Sequence, residues 1–219
     1  MKGKQLGEVL AVADFESSGM DVPPKMNFRF ASWNVRNIGE GREGDGLLRL
    51  IEKQKPDLLA LQEVNPKFHV KLATMGSFAW SACSLTLRRP SKGDASDRKR
   101  GCSIFGRSPF VLSWLRLLDD VGFPEQTLVA NLHYPTGELV ACSFHTPPGA
   151  SHKDKKSRFL RAIAEWMAPR KSGTVFGIDA NAPKTDHPNI TQNEWWRDGE
   201  RELTKSKLCC SFRNRTGLH

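Results

Sequence analysis

The stretch VFGIDANAP, residues 175–183, reads as the end of a short buried strand that runs directly into polar side chains. Apolar residues and one glycine come first, Asp179 and Asn181 follow, and Pro183 then stops regular structure. Because residues i and i+2 of an extended segment project to the same side, Asp179 and Asn181 are able to address one phosphate or one metal-bound water. An Asx-rich turn after a strand is the alternative, and the stretch alone leaves both interpretations open.

An earlier part of the chain shows a strand, a helix and a second strand, with polar residues at the strand ends. Residues 28–34 form an aromatic-rich strand. Leucine and isoleucine at helical spacing predict a helix over residues 47–55, which a proline stops. The apolar run 57–61 predicts a strand covered on both faces, and it ends in Gln62 and Glu63.

The rest of the chain continues as a mixture of strands and one further long helix. We expect strands over residues 78–87, 101–107, 110–118, 126–133, 138–145 and 174–178, and a helix that begins at residue 151 or 152. In this helix the apolar residues make a buried stripe, and Lys156, Arg158, Arg161 and Glu165 are expected mostly on the exposed side. Alternating strands and helices are typical of layered α/β proteins.

A hairpin signal separates two histidines. Residues 135–137, Pro-Thr-Gly, predict a turn between two strands. His133 then lies beside the turn, whereas His145 lies at the open end and runs into a proline-rich segment. Only His145 is placed to share a mouth with the polar ends of neighbouring strands, and His133 is interpreted as structural.

Length and composition favour one domain with a basic surface. The chain has 219 residues, 38% hydrophobic and 26% charged, which suits a sizeable core and excludes wholesale disorder. Residues 1–25 are expected to be a loosely ordered extension with a short helix near residues 8–15, and residues 26–219 the domain; Met1 and Met26 both stay open as the start. The net charge of +9 favours contact with a polyanion, although a solvated basic surface gives the same number.

Cysteine usage and hydropathy bear on the compartment. The five cysteines are scattered and include no C-x-x-C pair, which argues against a zinc site and against a disulfide framework. The apolar run at residues 9–13 is too short for a signal peptide, and no stretch approaches a membrane span. We therefore expect a cytoplasmic protein, and we expect it to be a monomer.

The segment between the strands at 78–87 and 101–107 is strongly basic. Its cationic residues include Arg98, Lys99 and Arg100, and only two aspartates oppose them. These three side chains are candidates for nucleic-acid contacts. A solvated, mobile loop is the alternative interpretation.

Polar strand ends elsewhere in the chain combine into one chemical pattern. They are Asn34, Glu63, His145, Asp179 and Asn181. Carboxylates and carboxamides with one histidine make a hard-oxygen site suited to Mg²⁺ or Mn²⁺, whereas a zinc enzyme normally supplies more nitrogen or sulfur ligands. Metal-assisted attack on a phosphoester is the chemistry that fits this pattern.

These segments resemble the motifs of the endonuclease/exonuclease/phosphatase superfamily, and its deoxyribonuclease I branch in particular. The matching segments occur in family order: SWNVR at 32–36, LALQEV at 59–64, GCSIFGR at 101–107, FHTPPG at 144–149 and DAN at 179–181. The resemblance implies an α/β fold, a four-layer sandwich in which two mixed β-sheets pack face to face with helices outside.

The resemblance also implies roles for the residues that match. Asn34 and Glu63 would hold a divalent cation, Mg²⁺ or Mn²⁺, on the scissile phosphate. Asp179 would orient or deprotonate the attacking water, with Asn181 fixing that water in line, and His145 would exchange a proton or bond the phosphate. The guanidinium of Arg36 would contact the substrate phosphate.

One part of the family pattern is missing from the sequence. The family ends with a Ser-Asp-His strand, and nothing after Pro183 reads Ser-Asp-His. We therefore expect a fold that is incomplete at its C-terminus, without transferring the role of this histidine to His219. Three functions stay open: a nuclease acting on DNA or RNA, a phosphodiesterase or phosphatase acting on lipid headgroups or other small phosphoesters, and an inactive truncated remnant.

Overall fold

The protein folds as two β-sheets with helices on the outside. A computed structural model describes residues 9–11, 27–36, 42–89, 92–93, 99–147, 154–169 and 173–180. The strands in these ranges are β1 Val9–Ala11, β2 Phe30–Asn34, β3 Leu58–Val64, β4 Trp80–Cys83, β5 Gly101–Gly106, β6 Val111–Arg116, β7 Thr127–Tyr134, β8 Gly137–His145 and β9 Gly173–Asp179. The α-helices are α1 Arg42–Gln54, α2 Pro66–Ala73, α3 Ser84–Leu87 and α4 Asp154–Met167, and two 3₁₀ turns cover Asp119–Val121 and Pro124–Gln126.

Both sheets mix parallel and antiparallel strands. The first has the order β1-β2-β3-β5-β4, and the second has the order β6-β7-β8-β9. The parallel neighbours are β2 with β3 in the first sheet and β8 with β9 in the second. Each parallel pair brings two carboxyl-terminal strand ends to one edge of its sheet.

Three apolar clusters separate the layers. Between the sheets, side chains such as Leu58 and Ile104 of the first sheet pack on Leu128 and Ala141 of the second. A second cluster joins α1 and α2 to the outer face of the first sheet, and a third joins α4 to the outer face of the second. Each buried aliphatic side chain contributes about 1.5–3 kcal/mol to folding. The expected four-layer sandwich is confirmed.

The predicted hairpin is also confirmed. Strands β7 and β8 pair antiparallel from Thr127↔Phe144 at the open end to Tyr134↔Gly137 at the turn. His133 pairs with Glu138 beside the turn, while His145 is the last residue of β8. The two histidines therefore lie at opposite ends of the hairpin.

The predicted strand over residues 78–87 is wrong in its second half. Only Trp80–Cys83 is extended, and Ser84–Leu87 forms the short helix α3. The Ser84 hydroxyl donates to the backbone oxygen of Glu125 and accepts from the backbone N–H of Cys102. A side chain at Gly101 would overlap Ser84 and Leu85, so the glycine leaves the space in which α3 turns over the start of β5. The helix α2 was not predicted.

Two further expectations are corrected. Lys156 was expected on the exposed side of α4, yet it is buried with 1% exposure. It lies one helical turn before Leu160 and therefore on the apolar stripe, a placement that follows from the period of 3.6 residues. Residues 9–11 form strand β1, antiparallel to β2, instead of the expected short helix.

Some expectations fall outside the described residues. These include most of the N-terminal extension and everything after residue 180, so the domain boundary at residue 26 and the incomplete C-terminus stay predictions. Among the described helices, none is long and apolar enough to cross a membrane.

Candidate active site

The carboxyl ends of the two parallel strand pairs meet at one edge of the sandwich. In the first sheet Asn34 is in register with Gln62, and in the second His145 is in register with Asp179. The backbone N–H of Thr146 donates to the backbone oxygen of Asp179 at 2.9 Å and fixes the two ends of the second pair together. Four predicted site residues, Asn34, Glu63, His145 and Asp179, thereby converge from four strands.

Glu63 reaches this edge through a β-bulge. On β3 the side chains of Leu59, Leu61 and Val64 all pack under α1 and α2, so the alternation of the strand gains one residue between Leu61 and Val64. The pairing of β3 with β5 shifts its register at the same place, and Glu63 has a φ of 55°. A left-handed conformation costs a residue other than glycine about 1–3 kcal/mol and is typical of functional sites. The bulge turns Glu63 away from the hydrophobic face on which strict alternation would place it.

Asn34 joins the two carboxylates of the site. Its Nδ2 donates to Glu63 Oε1 at 2.9 Å and also to Asp179 Oδ2. Its Oδ1 accepts from the backbone N–H of Arg36 at 2.7 Å, which fixes the orientation of the amide. The amide of Asn34 therefore holds two acidic side chains, one from each sheet, in a single arrangement.

His145 faces the same two carboxylates. Its Nε2 lies 3.5 Å from Glu63 Oε1 and 3.8 Å from Asp179 Oδ2, and its side chain is 7% exposed. One ligand atom from each of Glu63, His145 and Asp179 lies within 4.8 Å of the others. This grouping has the size and the donor types of a site for one divalent cation.

The electrostatics keep Glu63 ionised. Partial burial alone raises the pKa of a carboxyl group. The hydrogen bond from Asn34 and the nearby charges of His145 and Arg100 outweigh burial, and the pKa of Glu63 is lowered from its ordinary value of 4.5. The group is therefore a carboxylate at neutral pH, the form that binds cations.

A buried polar network supports the site from below. Gln62 is 1% exposed, and its Nε2 lies 3.0 Å from Ser143 Oγ and 3.1 Å from Ser32 Oγ. Ser143 Oγ also donates to the backbone oxygen of Leu61 at 2.9 Å. These bonds connect β2, β3 and β8 across the space between the sheets.

Gly177 lets the two sheets approach each other beneath the site. A Cβ at this position would overlap the side chain of Ser32 and crowd that of Ala60. Small residues on three strands thus bring β9, which carries Asp179, close to β2 and β3. The sequence shows a glycine two residues before Asp179. Its role in the packing of the sheets becomes clear only from the residues that face it in the fold.

A known protein family matches most of this chain by sequence. The profile described as "Endonuclease/Exonuclease/phosphatase family" matches residues 31–201. The chain belongs to this family. The resemblance noted from the sequence motifs is therefore confirmed. No curated protein matches by sequence.

Solved structures share the fold of this family member at low sequence identity. TDP2 from D. rerio, crystallised with a single strand DNA product, gives a TM-score of 0.59 at 14% identity, covering 81% of this chain and 64% of that one. The human Nocturnin catalytic domain with a bound sulfate anion gives 0.55 at 17%, covering 83% and 69%. ANGEL2, a 2',3'-cyclic phosphatase in complex with adenosine-2',3'-vanadate, gives 0.52 at 16%, covering 76% and 57%. This chain spans less than two thirds of the D. rerio TDP2 chain.

The other predicted site residues fall into two groups. Some lie near the cluster of Glu63, His145 and Asp179, and some lie outside the described residues. Arg36 is exposed, has a φ of 48° and contacts Asn34 through its backbone. Lys99 is exposed, whereas Arg100 pairs with Glu63, a contact that the sequence did not reveal. Asn181 and Arg98 lie outside the described residues.

Proposed function

We propose that the protein is a divalent-metal-dependent phosphodiester hydrolase that acts on nucleic acid. The observation that carries this proposal is the convergence of two carboxylates and an imidazole at one edge of the sandwich, with ligand atoms within 4.8 Å of one another. The carboxamide of Asn34 donates to both carboxylates. Membership of the endonuclease/exonuclease/phosphatase family supports the reaction type.

The donor set fits Mg²⁺ or Mn²⁺. Glu63 supplies a carboxylate oxygen, and Asn34 retains a second lone pair on Oδ1 besides the one that faces Arg36. We assign these two residues to hold the cation, which supplies positive charge for the phosphoryl oxygens when bound. Oxygen donors suit both ions, and the single imidazole suits Mn²⁺ as well.

The remaining residues handle the water and the protons. Asp179 Oδ2 accepts a hydrogen bond from Asn34, and we propose that it orients an attacking water or accepts its proton. His145 Nε2 lies 3.8 Å from Asp179 Oδ2, and we propose that it exchanges a proton with, or donates a hydrogen bond to, the phosphate. Asn181 is proposed to fix the water, and the exposed guanidinium of Arg36 to contact the substrate phosphate.

Nucleic acid is the substrate class with most support. The net charge of +9 favours a polyanion, because phosphate contacts release bound counterions. The related TDP2 structure holds a single strand DNA product. The description of ANGEL2 as a 2',3'-cyclic phosphatase favours a small phosphoester as the second candidate. An inactive chain is the third possibility.

A substrate panel tests the proposal. Purified protein is incubated with single-stranded DNA, RNA, a 2',3'-cyclic nucleotide, an inositol phosphate and bis(p-nitrophenyl) phosphate, each with Mg²⁺, with Mn²⁺ and with EDTA. Metal-dependent cleavage of DNA or RNA that Glu63→Gln abolishes supports it. Hydrolysis of the small esters alone supports the second candidate, a phosphodiesterase or phosphatase for small phosphoesters. If no substrate is hydrolysed, the third candidate, an inactive chain, is supported.

The basic segment before β5 is a proposed polynucleotide contact. Lys99 is exposed there and accompanies Arg98 in the sequence. Removing one phosphate contact is expected to weaken polynucleotide binding and to reduce the slope of log K against log salt by about 1. Lys99→Gln is compared with Lys67→Gln, which removes an exposed lysine from α2. Equal slopes in both variants return Lys99 to the solvated-loop interpretation.

A further inference from the structure

Arg100 makes a direct contact with the carboxylate at the centre of the site. Its Nη1 donates to Glu63 Oε2 at 2.8 Å. The other oxygen of the same carboxylate, Oε1, accepts from Asn34 and faces His145. The two oxygens of Glu63 therefore have different partners, one inside the cluster and one at its rim.

The fold places Arg100 at this position. Val64 is in register with Gly101, so Arg100 enters β5 directly beside the bulge that carries Glu63. The side chain of Arg100 is 35% exposed and that of Glu63 is 15% exposed, so the pair lies at the mouth of the site. A charge-assisted bond of this length is stronger than a bond between neutral groups and has a defined direction.

We propose that Arg100 is a positioning residue of the active site, which holds Glu63 Oε2 so that only Oε1 faces the reacting groups, and which offsets one carboxylate charge. This inference rests on the proposed function and gives Arg100 a role apart from polynucleotide binding. Arg100 weakens the affinity of the site for a divalent cation through charge repulsion. In return it leaves the loaded site more attractive to an anionic phosphodiester.

Two opposing effects determine the expected change in metal affinity. Loss of a residue that orients a ligand typically weakens metal binding by roughly 10- to 100-fold. Repulsion between the Arg100 guanidinium and a divalent cation held by the same carboxylate would exceed that contribution at the intermediate dielectric of a protein surface. Removal of the Arg100 charge is therefore expected to tighten cation binding while it slows turnover.

The test compares three variants with the wild-type chain. Arg100→Gln removes the charge, Arg100→Lys keeps the charge without the planar fork, and Arg49→Gln makes the same chemical change at an exposed arginine of α1. Mn²⁺ binding is measured by calorimetry on metal-free protein. The kcat and KM are measured with bis(p-nitrophenyl) phosphate, which is too small to report polynucleotide binding.

Each variant has a distinct expected result. Arg100→Gln binds Mn²⁺ on the order of tenfold more tightly, and its kcat falls on the order of tenfold. Arg100→Lys binds Mn²⁺ like the wild type, yet its kcat falls, because one ammonium group does not fix the carboxylate as a guanidinium does. Arg49→Gln changes neither quantity.

Contrary outcomes separate the two proposals. Unchanged or weaker Mn²⁺ binding in Arg100→Gln overturns the inference, as does an unchanged kcat in both Arg100 variants of an active enzyme. If the wild-type chain hydrolyses nothing, the proposed function fails, and calorimetry alone decides the inference: tighter binding supports it, and equal or absent binding overturns it. Circular dichroism verifies that each variant is folded.

Discussion

Two histidine–glutamate contacts lie at the two ends of the β7–β8 hairpin. Their distances are similar, but the exposure of their side chains differs. At the turn, His133 Nδ1 lies 3.3 Å from Glu138 Oε1, with side chains 56% and 72% exposed. At the open end, His145 Nε2 lies 3.5 Å from Glu63 Oε1, with side chains 7% and 15% exposed. The distances are nearly equal, but the environments are opposite.

The difference shows how burial changes the surroundings of a histidine–carboxylate contact. The pair at the turn joins two strands of one hairpin in water, where an exposed contact of this kind contributes little to stability. The pair at the open end joins two sheets, and Asn34 and Asp179 complete its surroundings. The lower exposure there means that each charge acts more strongly on its neighbours than it would in water.

The largest effect is expected from removing a carboxylate at the open end. Glu63→Gln and Asp179→Asn each lower metal-dependent hydrolysis on the order of 10³-fold or more, since both groups belong to one cooperating cluster. The fold is retained because both side chains lie at strand ends and outside the apolar clusters. Rates are measured beside circular dichroism spectra. Full activity in either folded variant contradicts the assignment of that residue.

The histidines themselves provide the direct comparison. His145→Ala is expected to slow hydrolysis on the order of 10²-fold, as for a lost proton-transfer group, and His133→Ala to leave the rate nearly unchanged. Both rates are measured at saturating substrate and metal. Equal losses of rate in the two variants would contradict this expectation. They would show that exposure and position in the hairpin do not distinguish the two histidines.

A change in sheet separation tests whether convergence depends on packing. Gly177→Ala places a methyl group against Ser32 and Ala60 and is expected to cost about 1–3 kcal/mol of unfolding free energy. It also displaces β9 and lowers activity. Gly46→Ala in α1 is the control, because nothing lies near its added Cβ and alanine favours the helix by about 0.5–1 kcal/mol. Urea unfolding of both variants measures the change in unfolding free energy, which is expected to fall in Gly177→Ala and to rise in Gly46→Ala. An unchanged unfolding free energy in Gly177→Ala contradicts the close approach of the two sheets at this position.

The smallest effect is expected from a third histidine, His69, which is half-buried and lies beside serine hydroxyls. His69 Nδ1 lies 3.0 Å from Ser103 Oγ, and burial lowers the pKa of His69 from its ordinary value of 6.5. The unfolded chain therefore binds more protons than the folded chain as the pH falls through 6.5, and the free energy of unfolding decreases there.

The measurement is the pH dependence of urea unfolding from about pH 7.5 to about pH 5.5. His69→Gln is expected to flatten this dependence, because the variant has no group to protonate at that position. Slopes are compared instead of absolute stabilities, since the substitution also changes packing against Phe105. An identical slope in both proteins would mean that His69 has the same pKa in the folded and unfolded chains.

The sequence by itself determined the fold class, the hairpin and the identity of the four converging residues. Apolar runs that end in polar residues are local signals, and strand ends such as those at Asn34 and Glu63 are readable because each depends on a few neighbours in the chain. The family motifs added the order in which these ends belong together. The predicted strand was wrong where the local preference was ambiguous. Ser84 begins the short helix α3, which packs against Gly101 of β5, a residue distant in the sequence.

Only the tertiary structure decided how the converging residues address one another. The left-handed bulge at Glu63, the pairing of Arg100 with Glu63 Oε2 and the close approach at Gly177 all involve residues from different strands. The period of a strand places side chains on faces, but it says nothing of register shifts or of the distance between sheets. Those quantities depend on packing between residues far apart in the chain, and for this reason the geometry of the site becomes visible only in the folded protein.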